Sequence, residues 1–376
     1  MLQHGMRWTP LLFAIATLIP CSFVRADTAT TALPFLRGAD LSSLPAVEAA
    51  GGVFTDSGAP GEAMAILQAR GMNAVRLRLW HTPNPSYGHG DLSSTLAMAA
   101  RAESLGLAIL LDLHYSDDWA DPGKQTKPAA WSALGFAALR DSVRAYTQSV
   151  LLAMSAQGTL PAIVQIGNEI TPGMLWDDGR VSGAFDTPAQ WTKLAQLIES
   201  ARLGIGDALG PGDSVAVMIH IDRGGDNGGA RRFFDHLIAE GVSFDYLGLS
   251  YYPWWHGTPI DFRDNLTDLA ARYQKPVVIA ELAYPWTLGW ADNTFNPVGD
   301  PSHLHICYDA TPARQYEYLR DMIDIMTGVP NGAVEGWFYW EPAWLPGETF
   351  GSPWENVGLF DFDGEVLRGA DAFSAP

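Results

Sequence analysis

A single (β/α)8 barrel is the fold this sequence predicts, and three observations carry it. Eight short apolar runs follow residue 34, helical patterns separate them, and nearly every run closes on a polar residue. Repeated strand–helix units imply parallel strands, and eight of them imply closure. The alternative is an open doubly wound sheet, but no Gly-x-Gly-x-x-Gly turn follows the first run.

Residues 35–40 form the first strand. Residues 61–70 are helical in pattern and stop at Gly71, a residue suited to the left-handed position beyond a helix. The second strand is 73–80; a helix at 93–105 stops at Gly106, and the third strand, 107–113, closes on His114. A long helix at 134–156 leads to the fourth run, Ala162 to Ile170, whose apolar part breaks at Gly167-Asn168-Glu169. A helix at 190–203 precedes strand five, Val215 to Ile219, which ends at His220; a helix at 230–240 precedes strand six, Phe244 to Ser250, which ends in Tyr251-Tyr252. A helix at 263–273 precedes the seventh run, Pro276 to Ala280, which ends at Glu281, and a helix at 313–327 precedes strand eight, Val334 to Trp340. The long segments 114–133, 171–189, 283–311 and 341–362 all follow strands, so they belong to one rim of the barrel and wall a cleft there.

The chain has 376 residues, 47% of them hydrophobic, and no linker or low-complexity tract interrupts 34–376. One domain, 27–376, is therefore expected after a leader at 1–26. That leader has Arg7, an apolar run from Leu11 to Ile19 and Val24-Arg25-Ala26, the pattern of a secretory signal cleaved after Ala26. Its apolar run is too short to span a membrane. A lipoprotein signal acylated at Cys21 would need small residues where Leu18-Ile19-Pro20 stands. The expected location is secreted, periplasmic or extracellular, with no membrane attachment once the signal is removed. Cleavage leaves Cys307 as the one cysteine, an inert and partly buried thiol with no disulfide partner.

The formal charge is −19, and −21 without Arg7 and Arg25. That balance excludes nucleic acid and anionic membranes as partners and suits a neutral ligand. Aromatics are abundant, with 14 Trp, 12 Tyr and 16 Phe, as in proteins that stack sugar rings as well as fill cores. A monomer is expected.

Chemistry concentrates at the strand ends. Two carboxylates, Glu169 and Glu281, close apolar runs, and two strand-end carboxylates are the minimal equipment for cleaving a glycosidic bond. Glu169 is the expected general acid, which needs a raised pKa, and Asn168 beside it can bond the sugar hydroxyl next to the reacting carbon. Side chains alternate along a strand, so Arg76 and Arg78 share a face, as do Asp112 and His114. Two arginines inside a barrel need anionic partners. One is expected in a structural pair with Asp40 or Asp112, and the other beside Glu281, keeping that carboxylate ionised as a nucleophile. A lone strand-end glutamate is more often a salt-bridge partner; the combination after strands four and seven is the specific signal.

Several strings resemble glycoside hydrolase family 53, the endo-β-1,4-galactanases. They are Gly38-Ala39-Asp40-Leu41-Ser42, Val75 to Trp80, His114-Tyr115-Ser116-Asp117-Asp118-Trp119-Ala120-Asp121-Pro122-Gly123, Gln165 to Glu169, Ser250-Tyr251-Tyr252-Pro253-Trp254-Trp255-His256-Gly257, Ala280-Glu281 and Glu341-Pro342-Ala343-Trp344. The resemblance runs from about Phe35 to the C-terminus. It implies a retaining double displacement on β-1,4-galactan, with Glu169 as acid/base and Glu281 as nucleophile. It also implies that Asn168, Arg78, His114, His220, Tyr252 and Trp340 surround the reacting sugar, and that Trp119 and Trp344 are stacking platforms. Tyr252 is expected to orient Glu281, with Tyr251 turned into packing. No cofactor is required. Some bacterial members bind calcium after strand seven; here Asp292 and Asn296 are the available ligands in 289–296, with Trp290 and Thr294 at further ligand positions and Asp300 or Asp309 as other oxygen sources. Mannan, xylan or glucan as substrate, or a non-catalytic galactan-binding barrel, are the alternatives.

Overall fold

The computed structural model of the protein describes residues 1–2 and 33–375. The signal expected at 1–26 lies outside the described residues, apart from Met1 and Leu2. Eight parallel strands close a barrel. They are β1 (Leu36–Asp40), β2 (Ala74–Leu79), β3 (Ala108–Leu113), β4 (Ile163–Ile166), β5 (Ala216–Ile221), β6 (Tyr246–Tyr251), β7 (Val277–Leu282) and β8 (Val334–Trp340). The ring closes where β1 pairs with β8, Leu36 opposite Gly336 through Asp40 opposite Trp340.

Among the described residues seven helices of seven residues or more connect the strands: α1 (Ala63–Ala69), α2 (Leu92–Ser104), α3 (Phe136–Gln157), α4 (Pro188–Ala208), α5 (Asn227–Ala239), α6 (Pro259–Tyr273) and α7 (Pro312–Thr327). Their starts are written in the sequence. Thr187, Thr258 and Thr311 cap α4, α6 and α7, each followed at once by proline, and Thr258 forms a capping box with Asp261. Along α3, Leu139, Val143, Val150, Leu151 and Met154 form one buried stripe against the barrel. Among the described residues no α-helix follows β8; a 3₁₀ stretch, Arg368–Ser374, takes its place. Its Phe373 lies parallel to the outward-facing Trp337 with centroids 5.0 Å apart, covering the last strand. Among the described residues no helix is long and apolar enough to cross a membrane. Cys307 is exposed rather than partly buried, because it sits in the long segment after β7 and not against the core.

Strand alternation turns the barrel interior into layers. Leu36, Ala74, Leu110, Ile163, Met218, Tyr246, Val278 and Phe338 fill the lower one. Two residues further along β2, β3, β4 and β5 stand Arg76, Asp112, Gln165 and His220; four further along β1 and β6 stand Asp40 and Ser250. All six are buried. The interior thus changes from apolar to polar toward the rim that carries the long segments.

Gly38 makes room for this arrangement. A Cβ there would lie 2.2 Å from the ring of Phe338. Gly38→Ala is expected to destabilise the fold by about 1–3 kcal/mol through overpacking, and Phe338→Leu in the same chain should recover part of that loss, read as urea-unfolding midpoints.

Candidate active site

Glu169 lies three residues beyond β4 on a turn no strand makes. Gly167 takes φ +73° and Glu169 takes φ +48°, lifting the carboxylate over the barrel mouth. A Cβ on Gly167 would also lie 2.6 Å from Ile170 Cγ2, so glycine is required there twice over. A left-handed glutamate costs on the order of 1–3 kcal/mol, a strain usually found where function needs it. Asn168 points down instead. Its Oδ1 accepts from Arg76 Nη2 at 2.8 Å, its Nδ2 donates to the Ala120 carbonyl at 2.8 Å, and its own carbonyl accepts from Gln125 Nε2 at 2.8 Å.

Glu281 is aimed by a bulge. Leu249 pairs with Ile279 but Ser250 pairs with Glu281, and on the other side Ile279 and Leu282 pair with Trp337 and Tyr339. One extra residue in β7 therefore breaks the alternation, and Ala280 and Glu281 both serve the interior face. Arg76 Nη1 donates to Glu281 Oε1 at 3.0 Å and the Tyr252 hydroxyl donates to Oε2 at 2.9 Å. One oxygen of Glu281, one of Glu169 and one ring nitrogen of His220 lie within 4.8 Å of one another.

The two carboxyl groups differ in surroundings. Burial raises Glu169 well above the ordinary carboxylate range, and the charges of Glu281 and Asp222 push the same way. Burial also raises Glu281, but Arg76 and the Tyr252 hydroxyl oppose it. The first proton of the pair therefore leaves Glu281, and Glu169 holds the second. Arg76 itself is raised: burial opposes its charge, and Asp112, Glu281 and Asp40 more than offset that.

The cleft above the pair has a volume of about 490 Å³ and is lined by both glutamates, Tyr252, Trp340, Asp222, Arg223, Trp255 and Trp354, among others. Of the residues named from the sequence, Glu169, Glu281, Tyr252 and Trp340 reach it; the others stand behind or beside it. His114 bonds Asp112 Oδ2 at 3.0 Å and accepts from the Ala120 N–H at 3.2 Å. His220 is fully buried beneath Asn168 and Ser250. Arg78 bonds Glu341 at 3.2 Å and lies over Trp119, 4.0 Å from the ring, so Arg76 and not Arg78 meets the glutamates. Trp344 lies near-parallel to Trp119 and Phe350, with centroids 6.3 and 5.5 Å away, and Trp119 has Arg78 over its ring. Tyr251 is buried in packing against Phe262, 4.1 Å away. Sequence reasoning missed Ser250, Asp222, Trp255 and Trp354. Alternation pointed to the first two, since Ser250 shares a face with Tyr252 and Asp222 with His220; Trp255 stood inside a quoted string, and nothing marked Trp354.

The family model for glycosyl hydrolase family 53 matches residues 36–373. This chain belongs to that family. As a family 53 member it is a glycoside hydrolase. It is 44% identical over 348 residues to a protein of Niallia circulans described as an uncharacterized protein in the bgaB 5′ region, covering 91% of this chain and 94% of the other. It is 34% identical to a probable arabinogalactan endo-β-1,4-galactanase A of Aspergillus terreus, covering 90% and 94%. Among solved structures, the Ignisphaera aggregans GH53 catalytic domain superimposes with TM-score 0.83 at 36% identity, over 91% of this chain and 97% of that one.

The family 53 site does not suit a cation between its glutamates, because the Arg76 guanidinium already occupies the position beside Glu281. The acidic loop after β7 is tied together by carboxylates. Asp292 accepts from the N–H groups of Thr294, Gly347 and Ser352, so its carboxylate stitches that loop to the one after β8. Glu355 Oε1 accepts from the Ala291 N–H and from Asn296 Nδ2. Asn296 Oδ1, Glu355 Oε2 and Asn356 Oδ1 are buried without partners in the same region. Asp300 caps a 3₁₀ turn and Asp309 is exposed.

Replacing Arg76 by methionine strands Asp40, Asp112 and Glu281, and should cost about 3–5 kcal/mol at pH 7. Arg76 holds Asp112 below its ordinary range against burial, and that contribution is lost as pH falls. The part of the gap between wild type and variant in unfolding free energy that comes from Asp112 is therefore expected to hold from pH 7 down to the ordinary aspartate range, about pH 4, and to narrow below it.

Proposed function

We propose that this glycoside hydrolase is an exported endo-acting enzyme that cleaves β-1,4-galactan by retaining double displacement. One observation carries the mechanism: of two carboxylates with an oxygen of one within 4.8 Å of an oxygen of the other, one is held by an arginine and a tyrosine and the other has no cation against it. Retaining enzymes place these groups about 5–5.5 Å apart, and inverting enzymes roughly 6.5–9.5 Å. Glu281, the group that ionises first, attacks the anomeric carbon. Glu169 gives its proton to the departing glycosidic oxygen. The C–O bond to the chain breaks as the glycosyl ester forms. Glu169, now a carboxylate, takes a proton from water, and the hydroxide attacks the ester to free Glu281.

Galactan as substrate is supported by the galactanase names of the relatives and by the family strings in the loops. Export rests on the N-terminal pattern, and the mature chain is expected to begin at Asp27. No cofactor enters the reaction.

Reducing-end release from linear β-1,4-galactan, run beside mannan, xylan and cellulose, tests the reading. Selective release from galactan is expected. Glu281→Gln should abolish it, and Glu169→Gln should lower it about 10²–10⁴-fold. Near-wild-type hydrolysis by Glu281→Gln would overturn the mechanism. Release from another polysaccharide would overturn the substrate, and binding without release would favour a non-catalytic barrel. Tyr252→Phe removes a donor to ionised Glu281, so the acidic limb of kcat/KM is expected to move to higher pH.

A further inference from the structure

Beneath Glu169 runs a chain of buried groups that do not touch the cleft. Ser250 Oγ lies 2.6 Å from Glu169 Oε1 and 2.9 Å from His220 Nε2, and His220 Nδ1 lies 2.9 Å from Asn168 Oδ1. The proton positions along this chain follow from what each partner can do.

The Asn168 amide has one allowed orientation. Its Nδ2 faces the Ala120 carbonyl and its Oδ1 faces the Arg76 guanidinium; a flip would set donor against donor and acceptor against acceptor. Gln165 is fixed in the same way, with Oε1 toward Arg76 and Nε2 toward Asp112 Oδ1 at 2.7 Å and the Gly167 carbonyl at 3.0 Å; these two shorter contacts take both amide hydrogens, ahead of His220 Nδ1 and Asn168 Oδ1, each 3.1 Å from Nε2. Asn168 Oδ1 can only accept, so the His220 proton belongs on Nδ1. Burial and the Arg76 charge hold His220 well below its ordinary range, so the ring is neutral and Nε2 is bare. A bare Nε2 accepts from the Ser250 hydroxyl. The Ser250 oxygen is then left as an acceptor, and the group facing it is Glu169.

We propose that Ser250 and His220 are positioning residues that hold the proton on Glu169, through a one-way chain from Glu169 to Ser250 to His220 to Asn168. This rests on the reading of Glu169 as the general acid. When Glu169 gives up its proton, the Ser250 hydroxyl must turn toward the carboxylate, and Nε2 loses its donor. The chain therefore favours the protonated acid and is restored when Glu169 takes a proton from water. Glu281 from β7, Asp222 from the end of β5, Arg76 from β2 and Tyr252 after β6 also act on Glu169. Arg76, Asp112, His114 and His256 act on His220. None of these donates to His220 Nε2.

The direction of the chain sets the sign of the test. If Ser250 accepts from Glu169, Ser250→Ala removes support from the protonated acid, and the basic limb of kcat/KM on galactan moves to lower pH by roughly half a unit to one unit, the worth of one hydrogen bond. If Ser250 serves the ionised form, the same variant moves the limb upward. A limb that stays in place or rises overturns the proposal. Ser250→Thr, which keeps the hydroxyl, should leave it in place. On a galacto-oligosaccharide with a nitrophenolate leaving group, whose departure needs no proton, the basic limb of kcat/KM should be absent from wild type and Ser250→Ala alike, because kcat/KM then reports a first step that uses no acid. Nitrogen-15 NMR of the wild-type enzyme supplies an independent reading: His220 with its proton on Nδ1 supports the chain, and His220 protonated on Nε2 overturns it. A basic limb that survives in Glu169→Gln would instead overturn the assignment of the acid, and the NMR result would stand apart from that.

Discussion

One buried guanidinium organises the site. Arg76 has five N–H donors and five acceptors around it: Gln165 Oε1, Asp40 Oδ2, Glu281 Oε1, Asp112 Oδ2 and Asn168 Oδ1, at 2.7 to 3.2 Å. They come from four strands around the ring, β1, β3, β4 and β7, with Asn168 just past the end of β4. A buried cation with one carboxylate would scarcely offset its own desolvation; three carboxylates and two amides satisfy it fully. The closed barrel is what makes this possible, since it aims side chains from opposite strands at one point. In return the guanidinium fixes Asn168, and through it the turn that carries Glu169.

Two departures from regular strand geometry turn this framework into a pair of unlike carboxylates. The bulge in β7 swings Glu281 onto Arg76 and Tyr252. The left-handed turn after β4 lifts Glu169 away from the guanidinium, toward Ser250. Both groups are buried, so both resist ionisation, and the difference lies in which one has a cation against it. Tyr252 adds to that difference and Asp222 widens it from the other side.

The barrel was legible because each run of Val, Ile and Leu was strand-sized and each helix had its cap or glycine stop. Alternation correctly set Arg76 with Arg78, and Asp112 with His114, on one face. It could not say which arginine meets Glu281, because that depends on a one-residue bulge with no marker in Pro276 to Glu281. Arg78 instead pairs with Glu341, a partner 263 residues away. The tryptophans were ambiguous for a related reason. An indole suits a sugar or a core equally well, and only the fold shows Phe350 beside Trp344 and Arg78 over Trp119. Ser250 was within reach of the alternation rule, but a serine among tyrosines carries no chemical signal until His220 and Glu169 are seen on either side of it.

The central claim is that Arg76 and Tyr252 make Glu281 the ionised member of the pair. Trapping tests it directly. A 2-deoxy-2-fluoro galacto-oligosaccharyl fluoride slows both displacement steps but carries a good leaving group, so a glycosyl ester should accumulate. Peptide mapping is predicted to find the sugar on Glu281. A label on Glu169, or turnover with inversion and no adduct, would contradict the account.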